Sequence, residues 1–314
     1  MKGIIVAAGL AVMGAGLSNA GDYDQPAIEQ LHSRVPGGAD LDNLAIPPAE
    51  PASDRTSWTS PVRWEMVTRP KSDLRDETPP RSGKEFCARL ENYNYFQRLI
   101  LGLENRLSFR NAGGLGGGGV CWWHSRLNQR QVYLTVFRPE LAKPSEKKVL
   151  EIFSGYFWGD RVVEIPGYEN FYDFSTDWRE LLQRKLNEWQ LIDGLAGAWI
   201  NGLAGGTSIA PKKLKAGMDI LFEEVNNSKR IVWQKLQLPG IASHAWLVTQ
   251  MSREDDGYIL TVVDSNYSSA YHVRYREGKG ALSAADYPDF VPYTEFLGDF
   301  NKIRRAQENY CSGL

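Results

Sequence analysis

The chain has 314 residues, 42% of them hydrophobic and 24% charged, and a formal net charge of −2. That composition supplies one large core or two small ones. With both signs of charge scattered along the chain, it excludes recognition of nucleic acid or an anionic membrane by charge alone.

The N-terminal twenty residues have the organisation of a secretory signal. Lys2 is the positive end, Ile4 to Leu17 the short apolar stretch, and Ser18-Asn19-Ala20 the small-residue cleavage site before Gly21. The alternative is an uncleaved anchor. An exported protein, periplasmic or secreted, is the expectation, and no later segment approaches the length needed to span a bilayer. Residues 21–82 hold more than half of the sixteen prolines and few sustained apolar patterns. They read as an extended leader or pro-segment ahead of a folded domain over residues 83–314.

From Lys84 the pattern is helical, with Phe86, Leu90, Tyr93, Phe96, Leu99, Ile100 and Leu103 at spacings of three and four. A glycine run, Gly113-Gly114-Leu115-Gly116-Gly117-Gly118-Gly119, then leads into Cys121. From Cys121 a helix is expected to reach Phe137, where Pro139 stops it. Further helices are expected from Ser145 to Trp158 and from Asp177 to Leu191, the latter with Asp177 and Glu180 at the spacing of a capping box. Beyond Lys213 the period changes to strands: Met218 to Val225, Arg230 to Leu236, Ser243 to Met251, Gly257 to Val263 and Ala270 to Tyr275. A last helix covers Thr294 to Tyr310. The fold class expected is α+β, a helical lobe followed by an antiparallel sheet, with a site in the cleft between them.

Three residues stand out for chemistry. Cys121 follows a flexible segment at the head of a helix, where unpaired N–H donors and the helix dipole favour a thiolate nucleophile. His244 lies in Ser243-His244-Ala245-Trp246-Leu247-Val248 and Asp264 in Val262-Val263-Asp264-Ser265-Asn266-Tyr267. A thiol needs a base to take its proton, and the base needs an acceptor to hold its ring. A hairpin centred on residue 254 sets His244 opposite Asp264, on one face if the register holds. Each residue also has a plain structural reading: a buried thiol, a strand histidine, a turn-capping carboxylate. Cys121, His124, His244 and Asp264 together are an alternative metal set. His272 is a rival base with no carboxylate at strand-pair distance, and reads as a surface residue.

The odd cysteine count carries its own expectation. In an oxidising compartment two of three pair. A Cys87–Cys311 bridge would staple the ends of the domain and leave Cys121 free; three unpaired thiols are the alternative.

Cys121 just after the glycines, a strand histidine far downstream and an Asp ending the next strand resemble the papain-like cysteine peptidases. Within that group "SHAWLV" and "VVDSNY" are most similar to the bacteriocin-processing type and to bacterial effector proteases, over roughly residues 105–275. The resemblance implies cleavage of an amide bond through a Cys121 thioester, with His244 as base and acid and Asp264 as its orienter. It implies a protein or peptide substrate and no cofactor. Related chemistries are a cell-wall amidase, to which the segment from Leu214 to Phe222 is similar, and a transglutaminase-like acyl transferase, whose histidine strand also reads "HAW". A different class is an inactive binding module of the same fold. One departure favours it: papain-like enzymes place an oxyanion-binding Gln shortly before the nucleophile, at the position of Leu115. Asn111, the nearest upstream amide, is the expected substitute, together with the glycine backbone and the Cys121 N–H. Aromatic residues at Trp122-Trp123, Tyr156-Phe157-Trp158 and Tyr168 to Tyr172 are expected mainly in the core, with some lining a groove for a peptide or glycan.

Overall fold

The computed structural model describes residues 77–114, 119–195, 206–239, 242–284, 287–294 and 298–314. The expected signal segment, most of the leader and Leu115 lie outside the described residues. The end of the leader does not: Pro80 O accepts a hydrogen bond from Phe137 N at 2.9 Å, and Thr78 O one from the Tyr95 hydroxyl at 2.6 Å.

Ser82 opens α1 (Gly83–Arg89), its Oγ accepting from Glu85 N at 3.2 Å. The helical periodicity from Phe86 to Leu103 is interrupted after Arg89. It continues as α2 (Asn94–Leu99) and a 3-10 turn, Leu103–Asn105. The central element is α3 (Cys121–Leu134), nearly every residue of which is buried. Its polar residues survive burial because each finds a partner. Ser125 Oγ donates to Ala245 O (2.9 Å), Gln129 Nε2 to Ile231 O (2.7 Å), Gln131 Nε2 to Asn105 O (2.5 Å) and Arg130 to Tyr156 O (2.7 Å).

The helix ends at Leu134, three residues before the expected Phe137. Thr135 and Val136 begin β1 (Thr135–Arg138), which pairs in parallel with β2 (Val163–Pro166). Between them lies α4 (Glu146–Trp158), as expected. Ser145 caps its start, left-handed Gly159 closes its end, and Val149, Ile152, Phe153 and Tyr156 form its buried stripe.

The helix expected from Asp177 starts differently. Asp177 ends α5 (Phe171–Asp177), and α6 (Arg179–Leu195) begins beyond Trp178. The Asp177 carboxylate accepts from Lys143 Nζ (2.6 Å) and Tyr168 OH (2.8 Å), tertiary partners that replace the expected cap. Most of the aromatic clusters belong to the core: Trp122, Trp123, Tyr156, Tyr168 and Phe171 are buried, while Tyr172 is exposed.

The first strand expected in the second half is a helix, α7 (Pro211–Asn226). Pro211 stands at its start, where a missing N–H costs nothing. Leu214, Met218, Leu221 and Val225 recur at helical spacing and are buried, whereas Ile220, which made the segment look like alternation, is exposed. The remaining strands are β3 (Val232–Gln237), β4 (Ser243–Glu254), β5 (Gly257–Asp264), β6 (Tyr271–Arg276), β7 (Leu282–Ala284) and β8 (Tyr287–Thr294), followed by α8 (Gly298–Ser312).

Their order is β6-β5-β4-β3-β8-β7, and β7 lies beside β6, so the sheet almost closes into a barrel. Pro288 and Pro292 hid β8 in the sequence. Val291–Thr294 bond only β3, and its first half pairs only with β7, so each proline sits where the strand has a single neighbour. Trp246, Val248, Leu260, Val262 and Phe290 fill the interior beneath α7. Trp233, Ala245 and Leu247 face outward onto α3. A disulfide joins Cys87 to Cys311 and ties α1 to α8, with Cys121 the free thiol. Among the described residues no helix is long and apolar enough to cross a membrane.

Candidate functional site

The site is built where the head of α3 meets the start of β4. Cys121 is the first residue of α3, and its thiol lies 3.9 Å from Ser243 O. Val120 precedes the helix without a side-chain cap of its own. Asn111 acts on this junction from the other side of the glycine run: its Oδ1 accepts from Val120 N at 2.6 Å. Gly119 makes the approach feasible. Its φ is +85°, and a Cβ there would lie 2.5 Å from the Asn111 amide nitrogen.

The imidazole and carboxylate come together through a register other than the expected one. β4 and β5 meet at Glu254↔Gly257, with Asp255-Asp256 as the turn. Continued unbroken, that ladder would set Asp264 opposite Leu247, on the face away from His244. A bulge at Thr249, between Val248 and Gln250, corrects this and leaves Asp264 opposite Trp246. Trp246 shares its face with His244, so the two residues meet diagonally. His244 Nε2 donates to Asp264 Oδ1 at 2.7 Å.

Asp264 is buried and completely satisfied. Its Oδ1 also accepts from Asn266 N (2.8 Å), and its Oδ2 accepts from Tyr271 OH (2.9 Å) and Tyr287 OH (2.8 Å). Burial alone would raise its pKa. The His244 charge and these donors outweigh burial and hold it below the usual carboxylate range. For His244 burial acts downward, but Asp264 first and the Cys121 thiol second, each by charge and hydrogen bond, carry it well above the ordinary histidine value. At neutral pH the pair is therefore an imidazolium facing a carboxylate. With Nε2 committed to Asp264, Nδ1 is the ring nitrogen left for the thiol.

Tyr287 adds a second restraint. Its ring stacks on His244 with centroids 5.2 Å apart and an interplanar angle of 26°. Burial, then the Asp264 charge, raises its pKa, so it stays protonated and donating. Asn266 joins the parts: its Nδ2 donates to Tyr287 OH (3.0 Å), and its Oδ1 accepts from Asn111 Nδ2 (3.1 Å). Asn111 N also donates to Ser265 O at 2.9 Å. The expectation that Asn111 is the oxyanion amide is thus displaced, because its side chain is used as a brace. Leu115, the position on which that expectation turned, lies outside the described residues.

The alternative metal set does not assemble. His124 is buried with both ring nitrogens occupied: Nε2–H donates to Phe109 O (2.8 Å), and Nδ1 accepts from Asn128 Nδ2 (3.4 Å). Asn128 Oδ1 accepts from Leu107 N (2.9 Å), which fixes the amide orientation. Burial lowers the His124 pKa to about 4, so the ring is neutral. Among the described residues, no group of three or more His, Cys, Asp or Glu side chains could hold a metal ion. His272 is exposed, with Thr261 Oγ1 3.3 Å from its Nδ1.

Sequence reasoning missed Tyr271 and Tyr287, which arrive on strands with no fixed spacing to the His or Asp. Asn266 was visible as part of "VVDSNY", though its role was not. All three side chains are covered: Cys121 is 5% exposed, His244 4% and Asp264 2%. Comparison of the chain with protein-family models, curated proteins and solved structures gave no match.

Proposed function

We propose that the protein is an exported cysteine hydrolase of papain-like arrangement, acting on amide bonds of a protein or peptide through Cys121, His244 and Asp264. The observation that carries this reading is the His244–Asp264 bond at 2.7 Å, made through Nε2, beside a free thiol at the head of a buried helix. In the mechanism, the thiolate sulfur attacks the carbonyl carbon and the π pair moves onto oxygen. Collapse expels the amine, which takes the His244 proton, and leaves an acyl thioester. Water then adds to the thioester, giving up a proton to His244, and collapse returns the thiol and the free acid.

The test is acylation by p-nitrophenyl acetate. A burst of p-nitrophenolate stoichiometric with protein, an acetyl group on Cys121 by mass spectrometry and loss of both in Cys121→Ala support the reading. A parent protein that shows no burst overturns it. Among active outcomes, release of peptide fragments favours a peptidase, release of stem peptides from cell wall an amidase, and incorporation of a primary amine an acyl transferase.

The burial of all three side chains favours a second reading, a closed binding module with no turnover. A thiol that iodoacetamide modifies only after unfolding would support that reading over the first.

A further inference from the structure

An acyl transfer of this kind needs donors for the oxyanion as well as a nucleophile. The first N–H groups of α3 point out of its open end, and Asn111 is already spent. Side-chain amides reach this end of α3 from α6. Gln183, Asn187 and Gln190 follow one another at spacings of four and three and share a helix face. All three hold the segment that delivers the thiol. Gln183 Nε2 donates to Ala112 O (3.0 Å), Asn187 Oδ1 accepts from Gly114 N (3.0 Å), and Gln190 Oε1 accepts from Trp123 N (3.4 Å).

Trp123 N is a donor of the first turn of α3, the turn that begins with Cys121. A backbone N–H can only donate, so the atom facing it is the Gln190 oxygen, and the amide nitrogen sits roughly 2.3 Å away at the same helix end. That nitrogen has no hydrogen-bond partner among the described residues, and the contact holding its oxygen is long, so the amide can reorient at little cost.

We infer that Gln190 is the side-chain oxyanion donor, acting with the Cys121 N–H on the carbonyl oxygen of the bound acyl group. This rests on the cysteine-hydrolase reading. Gln190 also explains how the site dispenses with an amide at position 115.

The experiment compares two reactions of the same thiol. Acylation by p-nitrophenyl acetate passes through an oxyanion: the sulfur–carbon bond forms, the π pair goes to oxygen, and its return expels p-nitrophenolate. Alkylation by iodoacetamide displaces iodide directly and forms no oxyanion. Gln190→Ala removes the amide. Gln190→Glu keeps an acceptor for Trp123 N and removes the donor, so it retains any structural role. The ratio of acylation to alkylation rate is expected to fall about 10²-fold in both variants. A fall of less than tenfold in either overturns the inference, whether or not both rates drop together. Failure of the underlying reading looks different, because the parent would then give no burst, or one that persists in Cys121→Ala.

Discussion

Asn111 Nδ2 lies 3.1 Å from Asn266 Oδ1, and through this bond the loop that carries Cys121 is fastened to the turn that carries Asp264. The other end of the Asn111 amide holds Val120 N, while Asn266 holds the Tyr287 hydroxyl that in turn holds the carboxylate. The thiol, on the helical lobe, and the imidazole, on the sheet, are therefore placed by one hydrogen-bonded chain.

Removing the brace should slow the thiol. Asn111→Ala leaves Val120 N without its side-chain acceptor and should lower the iodoacetamide rate at Cys121 several-fold at neutral pH, with a stability loss of about 1–3 kcal/mol. Gly119→Ala should do the same, since its φ of +85° and the Asn111 amide both exclude a Cβ. An unchanged labelling rate in both variants would contradict the brace.

His244 should govern thiol reactivity. In the parent the imidazolium persists through neutral pH beside the thiol. In His244→Ala the alkylation rate at Cys121 should be at least tenfold lower at neutral pH. Superimposable pH profiles would mean that the two side chains do not communicate.

The His244–Asp264 pair should also be visible in stability against pH. The folded His244 pKa is raised, so its contribution is complete below the unfolded value of about 6.5 and is lost as pH rises through the folded value, about 10. The folded Asp264 pKa is lowered, so its contribution is present above the usual carboxylate value and lost only as pH falls through the folded one. Asp264→Asn should therefore cost most between about pH 4 and 6.5, on the order of 3 kcal/mol. The penalty should shrink as pH approaches 10. Urea midpoints for parent and variant across that range check it, and a penalty independent of pH would rule the pair out.

His124 gives the opposite sign. Its folded pKa is depressed to about 4, so between about pH 6.5 and 4 the unfolded chain binds the extra proton. Stability should fall as pH falls through that window, by about 3 kcal/mol in total. His124→Gln, which keeps a donor for Phe109 O, should flatten this acid limb. An NMR titration that finds His124 protonated at pH 6 in the folded protein would refute the account.

The disulfide closes a loop of 224 residues. On chain-entropy grounds, replacing Cys87 and Cys311 by Ser should remove as much as ~5 kcal/mol. It should leave the alkylation rate of Cys121 unchanged under native conditions, since the bridge joins α1 to α8 and takes no part in the site.

Much of this protein is legible in its residues. The alternating segments from Arg230 onward, the capped helix ending at Gly159 and the parity of the cysteines follow from local rules, because period, cap and pairing depend on neighbours or on a count. Cys121, His244 and Asp264 were visible as residue types in a workable order. Other features depend on partners distant in the chain. The polar residues of α3 are buried because backbone atoms of both lobes receive them. Residues 218–225 alternate like a strand yet form a helix, since the barrel interior takes Met218, Leu221 and Val225 and leaves Ile220 outside. Above all, the turn at Asp255-Asp256 would have sent Asp264 to the wrong face. The single extra residue at Thr249 returns it to His244, and a bulge is set by tertiary packing of the ladder, with no local pattern to announce it.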